Sequence, residues 1–186
     1  VGYLARERRT VVSCAAGAGA GGAVSDDPTP RPQLRRPVQF LAFGLGSGLS
    51  PRAPGTAGSA LAVVLYLLLL APLPLEAVAL VIAAAAVAGV WICGEASRQL
   101  GVHDHGGIVW DEFVGMWIAL FALPLELPWI VAAFLLFRAF DIVKPWPINR
   151  LDERLGGGLG IMLDDIVAGL FAALILQVWV RGGWAG

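Results

Sequence analysis

The sequence predicts an all-α integral membrane bundle, with about five transmembrane helices and a short interfacial helix before them. Composition, the spacing of apolar runs and the placement of Arg and Lys between those runs each point there. Of 186 residues, 58% are apolar and 15% charged, and mean hydropathy is +0.75. Soluble domains average roughly 45–50% apolar and about 25% charged. So little charge cannot cover the surface of a soluble domain this small. The same figures exclude a disordered chain, and two cysteines exclude a disulfide scaffold. A net charge of −1 leaves no basic footprint for nucleic acid.

The apolar runs are Gly58–Leu75, Ala77–Gly94, Ile108–Leu123, Pro128–Phe140 and Leu159–Val180. A helix crossing roughly 30 Å of hydrocarbon needs about 20 residues. The first, second and fifth runs meet that. The third does so only with Asp111 and Glu112 included, and the fourth only with Arg138 and Asp141 at its end. The shorter, Gly-broken run Val38–Leu49 reads as an interfacial or re-entrant helix. Residues 1–37, rich in Ala, Gly, Pro and Arg, have no period that builds a core. They read as a disordered arm near anionic headgroups or as a dispensable extension, and the absence of an uninterrupted apolar stretch argues against a signal peptide. The membrane domain is expected over 38–181, with 182–186 as a tail.

Orientation follows from the positive-inside rule. The turns at 72–76 and 124–128 contain neither Lys nor Arg. Arg52 precedes the first run, Arg98 follows the second, and Lys144, Arg150 and Arg154 follow the fourth. Five alternating spans put all of these on the cytoplasmic side, with Arg181 alone against the count.

The remaining ionisable residues fall into four groups: Glu95 with Arg98; His103, Asp104 and His105 followed by Asp111 and Glu112; Arg138, Asp141 and Lys144; and Asp164 with Asp165. Carboxylates near a bilayer are costly unless paired, hydrated or metal-bound. The topology brings every group to one membrane face, which predicts a single polar site. Four clustered acids repel one another, and a hard divalent cation relieves that repulsion while leaving positions for phosphate oxygens. Structural ion pairs with Arg52, Arg98 and Arg138 are the alternative. Arg138 and Asp141 share a helical face, and Lys144 is the only lysine in the chain. An Arg and a Lys beside a metal suit phosphate oxygens, the Arg bidentate and the Lys as a point charge. His103 and His105 are open between zinc ligation, general acid catalysis and plain hydration. The Gly-rich stretches 47–59 and 156–160 read as loops whose backbone N–H groups approach an anion.

Several covalent phosphatase routes fail on the residues. Cys93 is followed by four residues and then Arg98, where a cysteine phosphatase has five. No Asp-x-Asp pair and no Ser-Gly-His is present. Attack of water at phosphorus, assisted by a divalent cation, is what the residues leave. A small cation or proton transporter using the same acids is the alternative from another class. It expects charge spread through the bilayer depth, whereas 65–70, 83–90 and 171–178 carry none.

Four segments then carry a resemblance. His103-Asp-His-Gly-Gly-Ile-Val-Trp-Asp-Glu-Phe-Val-Gly-Met-Trp117 closely resembles the signature of the phosphatidylglycerophosphatase A family. The segments Phe137–Ile148, Gly157–Gly169 and Gly48–Gly58 resemble its other blocks, in order, over about 38–180. The resemblance implies Mg²⁺-dependent removal of the terminal phosphate of phosphatidylglycerophosphate, giving phosphatidylglycerol in phospholipid biosynthesis. Asp111, Glu112, Asp164, Asp165, His103 and His105 are the implied catalytic set. Asp111, Glu112, Asp164 and Asp165 are the expected metal ligands, with Asp141 and Glu95 as additional ones. Arg138, Lys144 and Arg52 are the expected phosphate ligands.

Overall fold

The computed structural model describes residues 32–102, 105–144 and 157–182, and every regular element among them is helical. The arm up to 31, His103, Asp104, the stretch 145–156 and the end of the tail lie outside the described residues. The helices are α1 (Pro37–Ala42), α2 (Pro54–Leu65), α3 (Leu75–Leu100), α4 (Trp110–Leu120), α5 (Leu127–Val143) and α6 (Gly157–Arg181). A 3₁₀ turn, Gly44–Leu49, follows α1, and a π turn, Tyr66–Leu70, continues α2.

Among the described residues, two helices are long and apolar enough to cross a membrane. These are α3 with 26 residues and α6 with 25. At 1.5 Å per residue they reach about 38 Å, more than the roughly 30 Å of hydrocarbon. With its π turn α2 reaches only about 25 Å, as does the 17-residue α5. Their outer faces are hydrocarbon: Leu80 and Val87 of α3 are 72% and 75% exposed, and Leu135 of α5 is 61% exposed. Exposed Leu and Val in continuous stripes mark a surface that meets something apolar.

The third apolar run departs from the expected span. Its helix, α4, has 11 residues, about 16 Å. Val109 (φ −137°, ψ 14°) stops it extending backwards, and Phe121 with ψ 126° and the left-handed Ala122 end it before Pro124. Runs of 10–14 apolar residues belong more often to buried core helices than to spans. That is the role of α4, whose Phe113, Val114, Met116, Ala119 and Leu120 are fully enclosed by α2, α3, α5 and α6.

Glycine sets how closely these helices approach. A Cβ on Gly169 of α6 would run into the Gly115 carbonyl of α4. One on Gly158 would run into the Val90 carbonyl of α3. The 156–160 stretch, expected as an anion-binding loop, is therefore from Gly157 onward the first turn of α6, packed against α3. Likewise the end of the 47–59 loop is helix, because Pro54 at the first helical position starts α2 early.

Candidate functional site

The N-termini of α2, α4 and α6 and the C-termini of α3 and α5 lie at one end of the bundle, as the alternation of runs predicts. Asp111 and Glu112 occupy the first turn of α4, where unpaired backbone N–H groups favour a carboxylate. Asp165 lies two turns into α6 and is 2% exposed. Carboxylate oxygens of Asp111, Glu112 and Asp165 all lie within 4.8 Å of one another. Three acids at that separation in an apolar surround repel strongly unless a cation joins them.

Cations reach this cluster from α5. Arg138 Nη1 is 2.6 Å from Asp141 Oδ2, one turn along the same helix, and 3.7 Å from Glu112 Oε1. The same nitrogen donates to Ser59 Oγ of α2 at 3.5 Å. Gly55, in the first turn of α2, leaves room for this arrangement. A Cβ there would press on the Glu112 carboxylate and the Arg138 guanidinium. Lys144, the left-handed residue ending α5, donates from Nζ to Asp164 Oδ2 at 2.6 Å.

The two acid pairs thus behave differently. Both members of Asp111-Glu112 join the cluster, each with an oxygen within 4.8 Å of the other's and of Asp165's. Asp164 and Asp165 diverge by about 100° around α6, so Asp165 faces the cluster and Asp164 turns to Lys144. Glu95, expected as a further ligand, is committed elsewhere. Its oxygens accept Arg98 Nη2 at 2.7 Å and Gln99 Nε2 at 2.7 Å. His105 turns back on its own loop, Nδ1 accepting the Gly107 N–H at 3.1 Å and its ring tilted against Phe43. Arg52 is exposed. Gly55 and Ser59 fall within the 47–59 stretch, which the sequence marks for its backbone N–H groups and not for a hydroxyl or a close helix approach. Ser59 lies four residues after Gly55, whose carbonyl accepts its hydroxyl at 2.9 Å, and only the approach of α5 makes it a neighbour of Arg138.

Asp111 Oδ1, Glu112 Oε2, Asp165 Oδ2 and Arg138 Nε are buried and have no hydrogen-bond partner. They are the only such side-chain atoms among the described residues. A buried polar atom left unsatisfied costs roughly 1–3 kcal/mol, and more when charged. One oxygen from each of the three acids is available, a donor set of the hard kind that suits Mg²⁺ or Ca²⁺ rather than a soft metal. The residues therefore fit a divalent cation.

An all-helical bundle with hydrocarbon faces, gathering acids and cations at one end, is the build of a membrane-associated enzyme that handles an anionic group. Comparison with known proteins makes the class specific. The family model of phosphatidylglycerophosphatase A matches residues 40–180. A phosphatidylglycerophosphatase A of Escherichia coli K12 is 49% identical over 147 residues, covering 78% of this chain and 85% of that protein. One from Haemophilus influenzae is 44% identical over 159 residues, covering 83% and 98%. A Bacteroides thetaiotaomicron protein with the provisional name of a phosphatidylinositol-3-phosphatase is 42% identical over 152 residues, covering 77% and 94%. No solved structure matches the chain. The chain belongs to the phosphatidylglycerophosphatase A family, and it is a phosphatase.

Proposed function

We propose that this chain removes the terminal phosphate of phosphatidylglycerophosphate in a Mg²⁺-dependent hydrolysis at the cytoplasmic face of the bacterial inner membrane. The observation that carries the reading is the set of four unsatisfied atoms, three carboxylate oxygens and one guanidinium N–H, converging at one end of an apolar bundle. Asp111, Glu112 and Asp165 hold the cation. A divalent cation there supplies Lewis-acid stabilisation of charge on the phosphoryl oxygens. Arg138, fixed in direction by Asp141 and Ser59, presents its remaining donors to the monoester. Lys144, held by Asp164, adds a second positive charge at the rim. Arg52 is free to meet the headgroup from the loop before α2, and His103 and His105 supply a proton donor for the leaving alkoxide.

The topology is part of the proposal. We read α2, α3, α5 and α6 as crossing the bilayer, with α4 completing a fifth passage inside the bundle that they enclose. Transport finds no support in the distribution of charge. Between Glu76 and Glu95 of α3, and between Asp165 and Arg181 of α6, no charged residue occurs.

The test is phosphate release by the purified full-length protein in detergent micelles containing phosphatidylglycerophosphate. Release should require Mg²⁺ and stop with EDTA. Equal release in EDTA contradicts the metal assignment, and no release from this lipid contradicts the substrate.

A further inference from the structure

We propose that the crevice between α2 and α5 holds a fatty acyl chain of the lipid phosphate substrate; the inference rests on the phosphatase reading above. The crevice, of about 220 Å³, is lined by Ala60, Val63, Ile130, Val131, Phe134 and Leu135. All six are apolar, and Val131 and Leu135 on its rim are 45% and 61% exposed, so it opens sideways onto the hydrocarbon-facing surface. A volume below the roughly 300–1,000 Å³ of whole-ligand pockets suits part of one chain.

Its position relative to the polar site selects the occupant. Arg138 Nη1 and Ser59 Oγ, 3.5 Å apart, bridge α5 and α2 at its upper end. Ala60 follows Ser59 directly, and Phe134 and Ile130 lie one and two turns before Arg138 on the same face of α5. Each turn moves about 5.4 Å further from the site. Guanidinium, hydroxyl and then hydrocarbon is the order in which a lipid phosphate monoester presents phosphate, glycerol and chain. A larger apolar groove, about 300 Å³, lies between α3, α4 and α6. Its site end is shut, with Gly158 against the Val90 carbonyl and Gly89 against Met162 and Trp110. A chain in that groove has no route for its phosphate to the acids. The wider groove belongs to bulk lipid, and the narrower one to substrate.

Two measurements on the full-length protein test this. In the first, mixed micelles carry phosphatidylglycerophosphate with either dioleoyl or dihexanoyl chains. Ile130→Trp, filling the crevice two turns from Arg138 and beyond the reach of a six-carbon chain, should raise KM for the dioleoyl lipid about tenfold, the loss of roughly two buried methylenes, and leave the dihexanoyl lipid within about twofold. Ala83→Trp, in the larger groove, and Ala84→Trp, on the outer face of α3, should change neither. Equal effects on both lipids, or a chain-length effect from Ala83→Trp instead, overturn the proposal. The second measurement needs neither turnover nor a variant. Wild-type protein in phosphatidylcholine vesicles is irradiated with a diacyl phosphate monoester bearing a diazirine on one chain. Label on Ala60, Val63 or Phe134, displaced by unlabelled lipid phosphate, supports the crevice. The same pattern from a diazirine phosphatidylcholine, or label confined to α3 and α6, overturns it. Absent phosphate release with phosphate-selective labelling would refute the phosphatase reading while the crevice stands.

Discussion

The two ends of the bundle use polar groups in opposite ways. At the far end the enclosed and half-buried polar side chains among the described residues have partners. The Tyr66 hydroxyl donates to the Leu120 carbonyl at 3.3 Å, and Gln177 Nε2 donates to the carbonyls of Phe121 and Ala122 at 3.1 and 2.9 Å. Those bonds engage the carbonyls of the last residue of α4 and of the two residues that follow it, groups a helix end leaves without an intrahelical partner. At the site end, four buried side-chain atoms have no partner. One end is arranged for stability, whereas the other carries an unfavourable arrangement that a bound cation and phosphate would complete.

The sharpest way to break this comparison is Asp165→Asn. It should lower phosphate release at least about a hundredfold, since even groups behind metal ligands cost 10–100-fold when changed. In EDTA the variant should melt at or above the wild-type temperature, because it removes a buried repulsive charge. A variant that melts lower in EDTA and keeps its activity would mean that Asp165 serves a structural ion pair. Arg138→Lys comes next. It retains the charge but loses the planar fork that spans Asp141, Ser59 and the open Nε position. Its kcat/KM should fall about ten- to hundredfold, the loss of one charge-assisted bond; a fall below about twofold would reduce Arg138 to a topology determinant.

A third comparison sets Lys144 against Arg150. Lys144→Ala should cost about tenfold in kcat/KM, because it removes a charge and one charge-assisted bond to Asp164. Arg150→Ala should stay within about threefold, as expected of a residue supplying only general positive potential. Asp164→Asn, tested alongside, should match Lys144→Ala if the two act as a pair and Asp165→Asn if Asp164 is itself a ligand. The smallest effect on activity belongs to the far end. Gln177→Leu should cost about 1–2 kcal/mol of stability by freeing two carbonyls and leave phosphate release within about twofold. A large loss of activity there would mean that the two ends are coupled through α4.

Much of this was legible in the sequence, for identifiable reasons. The alternation of Arg-free and Arg-bearing connections is enough to place the acids at one end, since helices joined by short turns must alternate in direction. Asp111 and Glu112 follow Val109-Trp110 at the start of an apolar run, so both fall at that end. Neighbouring helical residues diverge by about 100°, however, and the sequence alone turns only one of them to the bundle. The choice between Asp164 and Asp165 was not legible. Adjacent helical residues differ only in azimuth, and the azimuth of α6 is set by Gly158 and Gly169 packing on α3 and α4. Hydropathy likewise cannot separate a short enclosed helix such as α4 from a span, because lipid and protein interior are equally apolar. Ser59 escaped notice because its relevance arises from α5, 79 residues away.

The central claim is that Asp111, Glu112 and Asp165 form one divalent site. Mn²⁺ binding to the purified protein, followed by electron paramagnetic resonance without any lipid phosphate, tests it most directly. The account predicts saturable binding in the wild type, displaced by Mg²⁺. It predicts affinity at least about tenfold weaker in Asp165→Asn, and little change in Glu95→Gln, whose carboxylate is already engaged by Arg98 and Gln99. Unaltered Mn²⁺ affinity in Asp165→Asn, or loss of binding in Glu95→Gln instead, would contradict it.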